Sequence, residues 1–521
     1  MTPLTNFLEN FNIDASTSTV VTLLALFAII WYAWRRAGSK KGRPSLPPGP
    51  RGLPLIGNLA SLDPDLHTYF AGLARTYGPI LKLQLGHKLG IIVSSPNLAR
   101  EVLKDHDITF ANRDVPDVAR IAAYGGSDIA WSPYGPEWRM LRKVCVLKML
   151  SNSTLDSVYE LRRREVRNII SYIYGKPGSL INVGEQTFLT ILNVVTSMLW
   201  GGTVPGEERG RLGAEFRRVV ADMTELLGAP NISDFFPALA RFDLQGLVKK
   251  MSGLAPKFDQ IFDRMIEKQL SADALGDRAG ASSKDFLQFL LKVKDEGDVK
   301  TPLTMTQIKA LLMDIFVGGT DTTTTMIEWT MARLMQHQEV RQKVYEELQE
   351  VVGANNVVEE FHLPKLRYLD AVMKETFRLH PALPLLVPRF SGQSCTLGGY
   401  TVPKGTTVFL NVYAIHRDPN LWDSPLEFRP ERFLKDETST FDYSGNNFQY
   451  LPFGSGRRVC AGLRLAENML MYLQASLLHS FEWKLPVGGV LELSDKYGLV
   501  IKKKKPLIVI PTPRLCNLEL Y

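Results

Sequence analysis

Hydrophobic positions recur at helical spacing over most of this chain. Long stretches of this kind run through Thr154–Ile173, Ala214–Leu227, Phe258–Leu270 and Met305–Val352. Apolar residues returning every three or four positions give a helix one dry side and one wet side. Short apolar runs at Ile80–Leu85, Leu89–Val93, Thr406–Asn411 and Leu507–Pro511 predict strands. Tyr400–Lys404 and Ser494–Lys505 predict hairpin connections, and the polar stretch Asp273–Lys284 an exposed loop. Strands and helices do not alternate, and there is no internal repeat. The pattern predicts a mainly α protein with small β-sheets, in one large body over residues 61–521.

The start of the chain departs from that pattern. Ala15 to Trp34 is 20 residues without a charge, enough for a helix to cross a hydrocarbon layer of roughly 30 Å. Arg35, Arg36, Lys40, Lys41 and Arg43 follow it, and Trp31, Tyr32 and Trp34 sit at its end. Basic residues stay on the cytosolic side and aromatic residues favour the interface. Glu9 and Asp14 make the preceding region acidic, unlike a cleaved signal peptide. Residues 1–34 therefore predict a single transmembrane anchor. Residues 35–60 form a basic and proline-rich hinge, in which Pro47, Pro48, Pro50 and Pro54 make a stiff spacer.

Composition narrows the class. With 521 residues, 45% hydrophobic and 22% charged, the chain is globular rather than disordered. A mean hydropathy of −0.05 excludes many membrane spans. The net charge of +7 supplies no basic tract for nucleic acid. Cysteines at 145, 395, 460 and 516 show neither disulfide-framework nor zinc spacing.

The chemistry centres on Cys460. It lies in Phe453-Gly-Ser-Gly-Arg-Arg-Val-Cys-Ala-Gly462, directly before an apolar helical segment, Leu463 to Leu478. Free N–H groups at a helix start favour a thiolate. Gly456 and Gly462 let the backbone approach a flat ligand, and Arg458 suits a carboxylate on it. An axial haem ligand fits this loop; a buried cysteine in a tight turn is the plain alternative. Upstream, MDIFVGGTDTTTTM, Met313 to Met326, puts glycines and threonines inside a helix. Threonine hydroxyls bond back to the preceding turn and distort the ladder, which places Asp321 and Thr322 at a groove as parts for a proton relay. A threonine-rich packing face is the other reading. Glu375 and Arg378 are three apart on one helix face, Arg432 follows in PERF, and Trp138 and Arg142 are four apart and face one ligand.

These motifs, in this order, resemble those of the cytochrome P450 family. The signature Phe-x-x-Gly-x-Arg-x-Cys-x-Gly is matched by Phe453, Gly456, Arg458, Cys460 and Gly462; the Gly-Gly-x-Asp-Thr-Thr segment is matched from Gly318 to Thr323. The resemblance covers the whole chain. It implies haem b (iron protoporphyrin IX), with Cys460 as the iron ligand. It also implies haem contacts from Trp138, Arg142, Arg389, Phe453, Arg458 and Gly462, and a structural triad of Glu375, Arg378 and Arg432. Thr322, helped by Asp321, would route protons to the dioxygen being reduced. The implied chemistry is insertion of one oxygen atom from O2 into a small lipophilic substrate.

No dinucleotide fingerprint is present, so electrons would come from NADPH through a separate NADPH–cytochrome P450 reductase. Arg142, Lys143, Arg457 and Arg458 are candidate contacts for that acidic partner. The anchor implies the endoplasmic reticulum membrane, with the catalytic part in the cytosol. Pocket residues implied by resemblance are Ile121, Phe316, Val317, Leu385, Leu386, Val387 and Leu499.

ITFANRDVP and YGPEWRMLRKVCVLKMLS are similar to plant specialised-metabolism members that hydroxylate sesquiterpenes and flavonoids. A terpenoid substrate, a sesquiterpene, is the first reading, because the implied pocket segments are largely apolar and show no cluster of cations or amides, although Arg113, Asp114 and Asp117 lie in the first of them, Arg113–Ala130. A flavonoid or phenylpropanoid is the alternative. An oxygen-independent haem-thiolate isomerase or dehydratase, and a non-catalytic haem or ligand-binding membrane protein, are the readings from other classes.

Overall fold

The computed structural model describes residues 21–29, 31–32, 45–201, 206–274, 285–297, 302–434 and 441–521. The expected anchor Ala15–Trp34 lies largely outside them, as do residues 275–284 of the expected loop. Residues 21–29 and 31–32 are helical. Among the described residues, no helix is long and apolar enough to cross a membrane.

Five helices frame the centre of the fold: α1 Pro136–Val144, α2 Val183–Trp200, α3 Met305–Gln336, α4 Arg367–Leu379 and α5 Leu463–Ser480. Helix α2 is apolar nearly all round and almost wholly buried, as an interior helix must be. It packs along α3, whose face carries Ile308, Leu311, Leu312, Ile315 and Ile327 into the main core. Helix α3 starts at a capping box, in which Thr304 accepts from the Gln307 N–H and Gln307 accepts from the Thr304 N–H.

Periodicity predicts one helix across Met305–Val352. The structure breaks it at His337, with a second helix over Gln338–Val351. No glycine or proline marks the break. His337 leaves helical geometry and stacks on Phe428, ring centres 5.1 Å apart, a tertiary contact that the local sequence does not signal. Likewise Thr154–Ile173 divides at Val158 into Asn152–Ser157 and Tyr159–Tyr174.

The main sheet has four strands: β1 Ile80–Leu85, β2 Lys88–Val93, β3 Arg389–Phe390 and β4 Thr407–Leu410. Their order is β1-β2-β4-β3. The β1–β2 hairpin turns through Gly86 at φ +57; β2 runs parallel to β4, with Ile92 opposite Phe409. Arg389 lies opposite Val408, which carries its side chain into the interior. The predicted hairpins pair as Cys395–Leu397 with Tyr400–Val402, and as Asp495–Lys496 with Lys502–Lys503. Ile508–Pro513 is the middle strand of a third sheet. The proline-rich segment is docked rather than free: the Lys82 N–H donates to the Pro48 carbonyl, 2.8 Å.

Candidate haem-thiolate site

The Cys460 loop is shaped by close backbone packing. Gly456 has φ +68, and a Cβ there would sit 2.4 Å from the Leu103 carbonyl oxygen. Glycine is required at 456 by this protein contact. Gly462 is different: a Cβ there would meet nothing within 4 Å, so it borders open space. The Cys460 N–H donates to Phe453 O, 3.0 Å, and α5 begins three residues on, after Gly462 as its N-cap.

Cys460 is enclosed yet accessible. Burial pushes its thiol up, opposed by the Gly462 N–H and by the Arg142 charge. Even so, its surface is exposed. A deep residue with free surface opens into an internal void. Helix α3 has matching features: Gly318 is exposed between half-buried Val317 and Gly319, and Thr322, one turn on from Gly318, is half-buried among buried neighbours. A Cβ at Gly318 would also meet nothing within 4 Å. The Thr322 hydroxyl donates to the Gly318 carbonyl, 2.8 Å. Thr320 and Thr324 make the same bond to Phe316 and Thr320. The threonine back-bonds expected from the sequence are present, but α3 continues unbroken through them.

Asp321 points to another side of α3. Its Oδ2 lies 2.7 Å from Lys502 Nζ and accepts from Thr224 Oγ1 at 3.0 Å. Lys502 Nζ also donates to Thr224 Oγ1, 3.1 Å. Asp321 and Thr322 are sequence neighbours whose side chains meet different partners.

A set of buried arginines lies beside the loop. Arg458 donates to the carbonyls of Ala111, Ile129 and Ser132 and lies over the Trp138 ring, 4.4 Å to its centre. Trp138 Nε1 donates to the Ile129 carbonyl, 3.0 Å. Arg389 donates to Ser455 O at 3.1 Å, and its Nη1 is 4.0 Å from Asp107 Oδ1. That Nη1 is buried and has no hydrogen-bond acceptor. Arg142 donates to Val459 O, 2.6 Å, next to the cysteine. Burial pushes Arg389 down to about 10, and Arg458 to about 9 with Arg389 adding repulsion.

Three residues of this neighbourhood are absent from the sequence expectations for the haem site. Arg113, placed by the sequence in a pocket segment, is buried with the arginines and donates to Ala130, Val387 and Pro388 carbonyls. Burial, then the charges of Arg389 and Arg458, lowers it strongly. Asp128 and Asp314 form a carboxyl pair. Burial raises Asp128 to about 6 and raises Asp314 further, with the Asp128 charge adding to it. Asp128 accepts from the Trp131 and Ser132 N–H groups and Asp314 from Ile129 N–H. Nothing in the local sequence signals this pair, because its members are joined only across the fold.

This arrangement suits a flat group bearing acidic substituents. Cys460 and Gly318 carry free surface, with open space at Gly318 and Gly462, and the buried cations are in excess of their carboxylates. One guanidinium nitrogen has no acceptor, and buried polar groups require one. Haem, with its paired propionates, has the matching shape and charge.

Behind the loop, Arg378 pairs with both Glu375 oxygens, at 2.7 and 2.8 Å, with both side chains fully buried. Arg432 Nε reaches Glu375 at 3.1 Å. Arg378 also donates to the carbonyls of His416 and Pro425. His416 Nε2 accepts from the Leu451 N–H, 2.9 Å, linking the cluster to the chain that leads into the Cys460 loop.

A cavity of about 150 Å³ has Leu385, Leu386 and Leu499 in its wall. The other expected pocket residues lie elsewhere. Phe316 is in the core, 5.1 Å from Phe258 ring to ring. Ile121 and Val317 pack against that core. Val387 joins Trp131 and Ala119 in a small cluster. Of the four expected reductase contacts, Lys143 and Arg457 are exposed, Arg142 is half-buried and Arg458 is buried.

Fold and site together fit a haem protein of the mainly helical type with small sheets. The cytochrome P450 family profile matches residues 47–510, and the chain belongs to that family. It is 39% identical over 509 residues to a flavonoid 3′-monooxygenase of Crocosmia x crocosmiiflora, covering 96% of this chain and 98% of that one. A Petunia hybrida flavonoid 3′-monooxygenase is 39% identical over 90% and 92% of the two chains. Carnosic acid synthase of Salvia pomifera is 38% identical over 93% and 96%. A zebra fish cytochrome P450 structure with progesterone superposes with a TM-score of 0.74, at 26% identity, over 86% of this chain and 99% of that one. The chain is a cytochrome P450 monooxygenase of the plant specialised-metabolism kind. Its family uses haem iron and electrons from a reductase.

Proposed function

We propose that this enzyme hydroxylates the aromatic ring of a flavonoid. The observation that carries this reading is 39% identity to flavonoid 3′-monooxygenases along 96% of the chain. It favours the flavonoid alternative over the terpenoid expected first from the apolar pocket segments. That expectation rested on wall residues, and apolar walls suit flat aromatic rings as well as hydrocarbons. The carnosic acid synthase relative, at nearly the same identity, keeps a second substrate type in the test.

In this reading the Cys460 thiolate would hold the haem iron and supply it with electron density. Haem, when bound, supplies dioxygen activation: one oxygen atom enters the substrate and the other leaves as water. Arg389, Arg113, Arg142, Arg458 and Trp138 would hold or flank the propionates. Phe453 and Gly462 would border the ring. The Thr322 hydroxyl stands at the void and delivers protons there, with Asp321 as the supplier behind it. Glu375, Arg378 and Arg432 keep the Cys460 loop in place. Ile121, Phe316, Val317 and Val387 shape the substrate space from behind its wall. The chain is anchored by Ala15–Trp34 in the endoplasmic reticulum membrane and receives electrons from NADPH–cytochrome P450 reductase, with Lys143 and Arg457 as the exposed basic contacts.

The experiment is expression with a reductase, followed by the reduced carbon-monoxide difference spectrum and a product assay. The thiolate-type Soret band and NADPH-dependent hydroxylation of a flavanone are expected. Turnover of a sesquiterpene hydrocarbon or a diterpenoid, with none of a flavonoid, would overturn the substrate reading. Absence of the thiolate band in Cys460→Ala, with the band present in the parent, is the expected control.

A further inference from the structure

The cavity of about 150 Å³ is mainly apolar, with Thr407 and Tyr497 in its wall and one corner that gathers charged and amide side chains. Its wall includes Phe70, Leu85, Leu227, Leu385, Phe409 and Leu499, while Lys88, Asp114, Asn231 and Asp234 line the same space. Cys460, Gly318 and Thr322 do not line it, so this corner is away from the haem-facing groups.

The polar residues come from separate segments. Lys88, at the start of β2, is ion-paired with Asp114. Asp234 Oδ1 accepts from the Asp117 N–H, 2.8 Å, which ties the short helix Ile232–Phe235 to the segment after Asp114. Asp117 is also 3.8 Å from Arg120 Nε. Asn231 is only 2% exposed. Its Oδ1 accepts from the Ser233 N–H, 3.1 Å. Only the amide oxygen can take that bond, which settles the orientation of the amide. Its Nδ2 then has no acceptor. An unmatched buried donor is costly and calls for a partner.

The corner therefore offers carboxylate acceptors and, within the same lining, donors at Lys88 and Asn231. A hydroxyl is the group that donates and accepts at once. A hydrocarbon leaves the Asn231 amide unmatched. A carboxylated ligand meets the surplus of Asp114 and Asp234 over Lys88. We propose that Asn231, Asp234 and the Lys88–Asp114 pair form a recognition subsite for phenolic hydroxyls on the substrate end remote from the oxidised carbon. This rests on the flavonoid reading and deepens it: the apolar wall takes the ring faces and the polar corner reads their hydroxyl pattern. These are specificity-determining residues that position substrate.

The test is a substrate-binding titration of the full-length haem-loaded enzyme in phospholipid vesicles, followed by the Soret shift. The probes are a flavanone with hydroxyls on its fused bicyclic end and the same flavanone lacking them. The parent enzyme should prefer the hydroxylated probe at least about tenfold. Asn231→Asp keeps the Oδ1 acceptor and removes the donor; Asp234→Asn keeps an acceptor for Asp117 and removes the charge. Each should bring the two affinities to within about threefold, while the dehydroxylated probe binds as before. If both probes bind the parent equally, or the preference survives in both variants, the subsite is wrong and the substrate class stands. If neither flavanone shifts the spectrum while a sesquiterpene hydrocarbon does, the substrate class itself is wrong and the subsite falls with it.

Discussion

Lys502 Nζ stands 2.7 Å from Asp321 Oδ2, in a pair that Thr224 closes from the side. Asp321 is nearly buried, while the Lys502 side chain is 27% exposed. The pair thus spans from the interior of α3 to solvent. The Asp321 carboxylate is held by Lys502 and Thr224, while the Thr322 hydroxyl bonds the Gly318 carbonyl. A proton relay through Asp321 would draw its protons from solvent through the Lys502 ammonium.

Lys502→Met removes that partner and leaves the carboxylate without its cation. Proton delivery by a positioned group contributes about a hundredfold or more to rate. We expect Lys502→Met to lower product formed per NADPH by about tenfold, and Thr322→Ala to lower it further while NADPH oxidation continues. Product and NADPH are measured together. Full coupling in Thr322→Ala would remove the threonine from the proton route, and full coupling in Lys502→Met would make the pair merely structural.

Glu375 is shared by two guanidinium groups with no exposed surface on either Glu375 or Arg378. Glu375→Ala leaves two buried cations opposed by nothing. Breaking a buried pair from one side costs about 3–5 kcal/mol. The expected result is a lower urea midpoint and loss of haem, both read from the Soret band. Because Arg378 reaches the Cys460 loop through His416 and Leu451, Glu375→Gln should keep more haem than Glu375→Ala. Parent-like midpoints in Glu375→Ala would contradict the structural role.

Arg389 should act in opposite directions with and without haem. Its Nη1 is unmatched, and burial already lowers its proton affinity to about 10. Arg389→Leu should therefore speed haem transfer to apomyoglobin about tenfold, equivalent to about 1.4 kcal/mol. The haem-free protein should be as stable as the parent or more so. A variant that retains haem as well as the parent would take Arg389 out of the propionate site.

The Asp128–Asp314 pair predicts a pH effect. Burial raises Asp128 from 3.8 to about 6. The folded state then binds its proton more tightly than the unfolded state, so this contribution to stability is complete below pH 3.8. It falls as pH rises through about 6. Asp128→Asn should gain stability over the parent as pH rises through that window, by an amount on the order of a few kcal/mol. Thermal unfolding of both proteins across the window measures the difference. A constant offset at every pH would show that the carboxyl does not titrate there.

How much of this was legible along the chain follows from the range of each interaction. Helical periodicity placed the interior of α3 and the segment that becomes α5, because each turn repeats the same dry face. The Cys460 loop was legible because Gly456, Arg458 and Cys460 are close in sequence and their chemistry is local. Glu375 and Arg378 share a helix face by spacing alone. Their value was not legible, since the same spacing on a wet surface is worth little. The break at His337, the burial of Phe316 in an aromatic cluster, the acceptor-free Arg389 and the Lys502–Asp321 pair were decided only by tertiary structure. So were the Arg113 position, the Asp128–Asp314 pair and the polar corner at Asn231. Each joins segments far apart in the chain, and only their packing sets which charges lose water and which donors lose partners. By itself the sequence determined the helices, the thiolate loop and the types of groups available for catalysis. The fold decided which of those groups meet, because burial and pairing are properties of a packed volume rather than of a stretch of chain.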